Sequence, residues 1–168
     1  LARRSKGTEV EYDIIEIIQN TSMLLASRAR RDQVSIQCRI PSGPLMLKGD
    51  PNDLRQVLVN LVLNGIQAMN GSGEILITAE VNGASQDRCL IAVEDEGLGI
   101  QNEHLTKMFQ PFFSTKEQGT GLGLSIVKRI VDSRQWQINM ENRETVGSRF
   151  TLSMPLLQVE SNGLPKDQ

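Results

Sequence analysis

Residues 51–69 carry two side-chain stripes at helical spacing, and they constrain the fold more than any other part of the sequence. The apolar stripe recurs every three or four positions and must face a core; it comprises Leu54, Val57, Leu58, Leu61, Val62, Ile66 and Met69. A polar stripe beside it comprises Asp53, Gln56, Asn60, Asn64 and Gln67. Asn60 and Asn64 point the same way, because side chains at i and i+4 share a helix face. A solvated helix face explains them; the alternative is two amide oxygens in a polar cleft, which suit a hard cation such as Mg²⁺.

Changes of hydrophobic period along the rest of the chain predict an α+β fold. An N-terminal helix from Asp13 to about Arg30 has its apolar period at Ile14, Ile17, Ile18, Thr21, Leu24 and Leu25. Further elements are predicted as a strand at 34–40, a helix at 51–69, a hairpin of 74–81 with 89–94, a helix at 122–133 and a hairpin of 138–142 with 149–154. Hairpin-linked strands and grouped helices favour a two-layer α/β sandwich, with helices on one face of a mixed sheet.

The composition excludes several classes of protein. The 168 residues suffice for one domain. The only histidine is His104, so a multi-histidine metal site is impossible. A formal net charge of −2 argues against nucleic-acid binding. No apolar run is long enough to span a membrane, and no signal peptide is seen. Cys38 and Cys89 fit no zinc spacing, which favours a reducing compartment.

The predicted domain covers residues 10–157. Residues 1–9 are polar and are expected to form a flexible leader, and residues 158–168 are expected to form a disordered tail. The first residue is Leu1 rather than Met, which suggests a piece of a longer protein.

Three loop segments are candidates for binding chemistry. They are the Asp-x-Gly-x-Gly stretch at 95–99, the aromatic stretch Phe109–Lys116, and the glycine-rich helix start Gly119–Gly123. Glycines at a helix N-terminus expose backbone N–H groups to an anion. Each segment alone is weak, since a tight turn, a packed loop anchor with a surface lysine, or a structural helix start would explain it.

Together and in this order, the segments resemble the catalytic ATP-binding domain of sensor histidine kinases, in the superfamily shared with gyrase, Hsp90 and MutL. Residues 53–69 are similar to the N box, 95–100 to the G1 box, 109–116 to the F box and 119–124 to the G2 box. Residues 146–150 resemble the closing Gly-Ser/Thr-x-Phe strand. The segments NGIQAM and PFFSTK, together with a short lid, look most like those of the nitrogen-regulation type of sensor kinase.

The resemblance implies a role for each matching residue. Asn64, with Asn60 nearby, would hold Mg²⁺ on the nucleotide phosphates, and Asp95 would accept the adenine amino group. A lid at 101–118 would close over the phosphates and bring Lys116 to the γ-phosphate. The implied catalytic residues are Asn60 and Lys116, and the implied cofactors are ATP and Mg²⁺. The implied ATP-binding residues are Asn60, Asn64, Asp95, Gly97, Gly99, Ile100, Phe109, Lys116, Gly119, Thr120, Gly121, Leu122, Gly123 and Ser148.

Position 60 favours the histidine kinase branch. ATP-hydrolysing relatives carry a Glu one turn before the Mg²⁺-binding Asn to activate water, whereas this chain has Asn60. We therefore expect slow ATP hydrolysis. A non-catalytic nucleotide-sensing domain is the alternative, and a gyrase- or Hsp90-type ATPase is a weaker one.

The resemblance also implies partners. The phosphate would go to a histidine on a separate dimerisation domain of the same kinase, and a response regulator would follow. His104 does not stand in such an acceptor motif and is expected to have a surface or cap role. The domain itself is expected to be monomeric and cytoplasmic, with no contact to nucleic acid or membrane. Two departures from the family are Gly65, where Ala is usual, and Arg134-Gln135-Trp136, where a glycine-containing turn is usual.

Overall fold

The computed structural model describes residues 9–84, 86–115 and 121–158. In these ranges the chain forms seven strands and three α-helices. In chain order they are β1 Val10–Asp13, α1 Ile14–Arg31, β2 Val34–Arg39, β3 Met46–Gly49, α2 Pro51–Ala68, β4 Gly73–Asn82, β5 Arg88–Glu94, α3 Gly123–Ser133, β6 Gln137–Asn142 and β7 Ser148–Pro155. A 3₁₀ helix at Asn102–His104 lies between β5 and α3.

Five strands form one mixed sheet in the order β2-β4-β5-β7-β6. Strand β2 runs parallel to β4, while the other neighbours pair antiparallel. Both predicted hairpins, β4–β5 and β6–β7, are therefore confirmed. Alternate side chains of the sheet are buried on one face, where α1 packs on β2 and α2 packs on β4 and β5. This arrangement confirms the α+β sandwich.

A second, two-stranded sheet of β1 and β3 was not predicted. Each of its strands has only four residues, which is too short for a reliable alternation pattern. Asp13 ties this small sheet to α1, because its Oδ1 accepts hydrogen bonds from the N–H groups of Ile15 and Leu45, both at 3.0 Å. The predicted leader at 1–9 and tail at 158–168 lie almost wholly outside the described residues, so both stay predictions.

Helix α1 departs from its predicted apolar face at one position. Ile14, Ile17, Ile18, Thr21 and Leu25 are buried as the period indicates. Leu24, which the period also includes, is 65% exposed. Leu25 is buried on that turn instead, because it continues the row of buried residues at i+4 spacing through Thr21 and Ala29.

The unusual turn after α3 is accommodated by Trp136. Gln135 adopts φ +57°, the left-handed conformation that glycine adopts most readily after a helix. Trp136 is 8% exposed, and its backbone N–H donates to the carbonyl of Val131 at 2.9 Å. The indole therefore packs the end of α3, and its burial offsets the cost of the strained residue before it.

Candidate active site

A cleft of about 500 Å³ opens between α2, the start of α3 and the loop that follows β5. Nine of the sequence-predicted site residues line it: Asn60, Asn64, Asp95, Gly99, Ile100, Gly121, Leu122, Gly123 and Ser148. The apolar part of its wall includes Leu63, Met108 and Phe150. Lys116, Gly119 and Thr120 lie outside the described residues, so their roles stay predictions.

Asp95 is a buried carboxylate, 4% exposed, at the point where β5 ends beside the start of β7. Its Oδ1 accepts hydrogen bonds from the N–H groups of Gly97 at 2.9 Å and Ser148 at 3.3 Å. Its Oδ2 accepts from the Ser148 hydroxyl at 2.5 Å. These donors compensate the cost of burying the carboxylate and fix its orientation at the cleft.

Gly147 lies against the Asp95 main chain. Its φ is +95°, and a β-carbon there would sit 1.8 Å from the Asp95 carbonyl oxygen. Only glycine fits, since any side chain would collide with the backbone of the site loop.

Two glycines beside the cleft, Gly97 and Gly65, leave little room for a side chain. A β-carbon on Gly97 would lie 2.6 Å from the carbonyl oxygen of Ala68. Gly97 packs closely on α2 and is not among the residues that line the cleft, and its nucleotide contact stays a prediction. Gly65 is also tight, because its β-carbon would lie 3.0 Å from Ile75 Cδ1 and 3.3 Å from Asp95 Cβ.

Asn60 and Asn64 both line the cleft, so the polar stripe of α2 is not a plain solvated face. The Asn60 side-chain nitrogen donates to the Gln56 carbonyl at 2.8 Å. A β-carbon on Gly123 would lie 3.1 Å from Asn60 Oδ1. The amide oxygen of Asn60 is thus directed at the first residue of α3, where backbone N–H groups favour an anion.

The aromatic segment divides into three environments. Phe109 packs on the core and is not among the residues that line the cleft, and its binding role stays a prediction. Phe113 lines the cleft. Phe112 is 79% exposed at φ +64°, and its N–H donates to the Gly121 carbonyl at 3.0 Å. This hydrogen bond fastens the aromatic segment to the glycine-rich segment.

His104 also lines the cleft, which corrects its expected surface or cap role. Its ring lies against the Phe113 ring, with centroids 5.4 Å apart. The 3₁₀ helix and the turns after it carry His104 inward, and no sequence period marks such a short element.

Two further residues that support the site were not predicted: Asn142, the last residue of β6, and Arg143, the first residue of the turn after it. Asn142 hydrogen-bonds both backbone groups of Ile100 at 2.8 Å, and Arg143 donates to the Asp95 carbonyl at 3.0 Å. These contacts join positions 42 and 48 residues apart in sequence. Their only sequence signal is polar residues beside a hairpin turn, which is common everywhere.

The described residues give little support to a clustered metal site, a reactive cysteine or a membrane-spanning helix. No group of three or more His, Cys, Asp or Glu side chains in them is arranged to hold a metal ion. Burial raises the pKa of the Cys89 thiol to about 12 and raises that of Cys38 as well. Both thiols are therefore less nucleophilic near neutral pH than an ordinary thiol, because the thiolate is the reactive form. No helix in the described ranges has the length and apolar character needed to cross a bilayer.

The match to a known family covers most of this architecture. The sequence model described as "Histidine kinase-, DNA gyrase B-, and HSP90-like ATPase" matches residues 49–158. The chain is 33% identical over 148 residues to sporulation kinase E of Bacillus subtilis (88% of this chain, 20% of that protein). It is 36% identical over 144 residues to the sensor histidine kinase ZraS of Escherichia coli (86% of this chain, 30% of that protein).

Among solved structures, the catalytic domain of histidine kinase ThkA is 34% identical with a TM-score of 0.79 (88% of this chain, 95% of that chain). The fold and cleft thus define a nucleotide-binding domain of the family shared by histidine kinases, DNA gyrase B and Hsp90, and the chain belongs to it. Within that family it is an ATP-binding catalytic domain of the sensor histidine kinase type. The chain spans only 20% to 36% of the length of the first three curated relatives. The nitrogen-regulation subtype stays a prediction.

Proposed function

We propose that this domain binds ATP with Mg²⁺ and donates the γ-phosphate to a histidine on a separate dimerisation domain of the same kinase. The observation that carries the proposal is the placement of two kinds of group along one cleft. A buried carboxylate acceptor, Asp95, lies beside Gly65 of α2. The amide of Asn60 lies five residues nearer the start of that helix, which is about 7 Å along its axis. This spacing suits a nucleotide with its base at Asp95 and its phosphates at Asn60.

Asp95 would select adenine. Its carboxylate is held by Ser148 and Gly97 and could accept a hydrogen bond from the adenine 6-amino group. Guanine presents a carbonyl oxygen at that position, so two acceptors would face each other in a buried site. A site built around one hydrogen bond rejects a ligand that leaves it unpaired.

The phosphates would lie between α2 and the start of α3. Backbone N–H groups at that helix start would bind phosphate oxygens. Asn60 and Asn64 fit a Mg²⁺ ion that also takes phosphate oxygens and water, since Mg²⁺ uses few protein ligands at such sites. When bound, the ion supplies neutralisation of charge on the phosphates. Lys116, Gly119 and Thr120 are proposed to join them.

The acceptor imidazole needs no strong base from this domain. Its neutral nitrogen would form a bond to the γ-phosphorus as the bond to the bridging oxygen breaks, releasing ADP and then a proton to solvent. Asn60 stands where a water-activating Glu would stand, so water competes poorly. His104 packs on Phe113 and is not proposed as the acceptor.

The remaining partners follow from the same proposal. In one solved structure, histidine kinase ThkA is in complex with the response regulator protein TrrA, and that chain is 30% identical to this one with a TM-score of 0.74. We infer that the parent of this domain likewise passes phosphate to a response regulator. We infer also that the isolated domain is monomeric and acts in the cytoplasm, where ATP is present.

Nucleotide titration tests the binding part of the proposal. We expect ATP to bind more tightly than GTP, and Mg²⁺ to tighten ATP binding. Asp95→Asn should weaken ATP binding strongly, since an amide cannot replace both carboxylate acceptors. Equal dissociation constants for ATP and GTP in the unsubstituted chain would overturn the role given to Asp95.

A further inference from the structure

The last residue of β6 and the first residue of the turn after it contact both ends of the loop at residues 95–100, called here the Asp95 loop. At one end, the Asn142 side-chain oxygen accepts from the Ile100 N–H and its nitrogen donates to the Ile100 carbonyl, both at 2.8 Å. At the other end, Arg143 Nη1 donates to the Asp95 carbonyl at 3.0 Å. Two neighbouring residues thus hold the first and last residues of the loop that carries the proposed adenine acceptor.

The loop is shaped to lie directly against Asn142. Gly99 has φ +72°, and a β-carbon there would sit 2.7 Å from Asn142 Oδ1. A side chain at position 99 would therefore push the loop off the Asn142 amide. The two hydrogen bonds at Ile100 and the absence of a side chain at Gly99 together let the loop pack closely on the Asn142 side chain.

Two further contacts hold Arg143 in place, one through its side chain and one through its backbone. Its Nε lies 3.3 Å from Oε2 of Glu94, a side chain that is 11% exposed. Its own N–H donates to the Gly147 carbonyl at 2.9 Å, which closes the turn. The guanidinium is therefore fixed between Glu94 and the Asp95 carbonyl, and it sets the main-chain position from which the Asp95 carboxylate projects.

Arg149 differs from Arg143, because it also binds Glu94 but its other ionic partner is Glu141 and not the Asp95 loop. Its Nε lies 2.9 Å from Glu94 Oε1, and its Nη1 lies 3.1 Å from Glu141. The two arginines thus bind the same carboxylate from different sides. Only Arg143 also contacts the Asp95 loop.

We propose that Asn142 and Arg143 are positioning residues for adenine selection. Neither lines the cleft, and both act by holding the Asp95 loop so that the carboxylate meets the base without rearrangement. A site whose supporting contacts are lost binds less tightly and discriminates less, because the ligand must then order the loop. This inference rests on the proposed role of Asp95 in binding adenine.

The test compares each residue with a matched control in the full chain. Asn142→Ala is paired with Asn139→Ala, on the same strand and exposed. Arg143→Gln is paired with Arg149→Gln, which also loses a Glu94 contact. The readout is the ratio of the dissociation constants for inosine triphosphate, which has an oxygen at position 6, and for ATP. A purely structural role would lower the thermal midpoint and leave this ratio unchanged.

We expect Asn142→Ala and Arg143→Gln each to reduce the ratio by about tenfold, the effect of misplacing one good hydrogen bond. Both controls should keep it, and Arg143→Lys should recover part of it by retaining a donor. If Asn142→Ala does not fold, Asn142→Ser gives the same comparison with one of the two Ile100 contacts removed.

Asp95→Asn separates the two possible failures. If it loses the preference for ATP while the Asn142 and Arg143 variants behave like their controls, this inference is overturned and the role of Asp95 stands. If Asp95→Asn retains the preference, the adenine role of Asp95 is overturned, and the inference falls with it.

Discussion

The hydroxyl of Ser148 donates to Oδ2 of Asp95 at 2.5 Å, across the junction of β5 and β7. The Asp95 N–H in turn donates to the Ser148 carbonyl at 3.0 Å, so the two residues hold each other through side chain and main chain. Ser148 is 4% exposed, and water does not readily replace its hydroxyl. The Ser148 hydroxyl is the one side-chain donor among the three hydrogen bonds that fix the carboxylate in the cleft.

Replacing Ser148 should impair ATP binding more than folding. We expect Ser148→Ala to raise the dissociation constant for ATP by about tenfold, because a buried charged acceptor loses a hydrogen bond. Ser148→Thr keeps the hydroxyl and serves as the control. Calorimetric titration measures both variants. ATP affinity in Ser148→Ala equal to that of the unsubstituted chain would show that the hydroxyl does not set the carboxylate.

Gly147→Ala should destabilise the whole domain. Its β-carbon would overlap the Asp95 carbonyl oxygen, and the backbone must move to relieve the clash, at a cost of about 3 kcal/mol or more in the free energy of unfolding. Gly71→Ala is the matched control, since Gly71 also has a positive φ, +108°, yet has no atom within 4 Å of its β-carbon. It should cost only about 1 kcal/mol.

Urea denaturation of both glycine variants checks this difference. Equal losses in Gly147→Ala and Gly71→Ala would mean that backbone strain alone, and not the approach to Asp95, explains the glycine at 147.

Arg134 links the end of α3 to the start of α2. Its Nε donates to Asp53 at 2.5 Å and its Nη1 lies 3.2 Å from Glu9. The hydrogen bond with Asp53, reinforced by the charges of Asp53 and Glu9, raises the pKa of the guanidinium, so Arg134 stays charged. We expect Arg134→Gln to lower the free energy of unfolding by about 1 kcal/mol, because both partners are three-quarters buried.

Lys128→Gln provides the comparison for Arg134. Lys128 pairs with Asp132 at 2.6 Å within α3, but both side chains are about half exposed, so its loss should cost less than about 0.5 kcal/mol. Thermal unfolding of the two variants distinguishes them. A smaller loss in Arg134→Gln than in Lys128→Gln would contradict the linking role.

His104→Ala should weaken ATP binding by about threefold, since the imidazole lines the cleft and supports Phe113 through a tilted ring contact. The sequence alone indicates no effect, because it assigns His104 to the surface. His104→Phe should retain most of the affinity by keeping a ring against Phe113. Affinity unchanged in His104→Ala would restore the sequence-based expectation.

The sequence predicts those parts of the fold in which period and chemistry coincide. The two stripes of α2 place a core on one side and the amides of Asn60 and Asn64 on the other, and both assignments hold in the structure. The hairpins follow from alternation and turn residues. Gly97 and Phe109 belong to the same motifs and pack against the body of the domain. Their nucleotide contacts stay predictions, because motif membership does not say which side of a loop faces the ligand.

The missed features depend on contacts between distant segments. The pairing of β1 with β3 and the contacts of Asn142 and Arg143 join residues more than 30 positions apart. A local pattern cannot reveal them, since the same residues would read as ordinary loop and strand-edge positions. His104 turns inward through a three-residue helix, which is shorter than one hydrophobic period.

Phosphate transfer to a separate chain is the most direct test of the account. The domain is incubated with Mg²⁺ and γ-labelled ATP, alone and with the dimerisation domain of the same kinase supplied as a second chain. We predict acid-labile, base-stable label on a histidine of the second chain, no label on His104 or elsewhere in this chain, and slow release of inorganic phosphate. Label on this chain alone, or rapid ATP hydrolysis without transfer, would contradict the conclusion that it is a donor domain for a separate histidine.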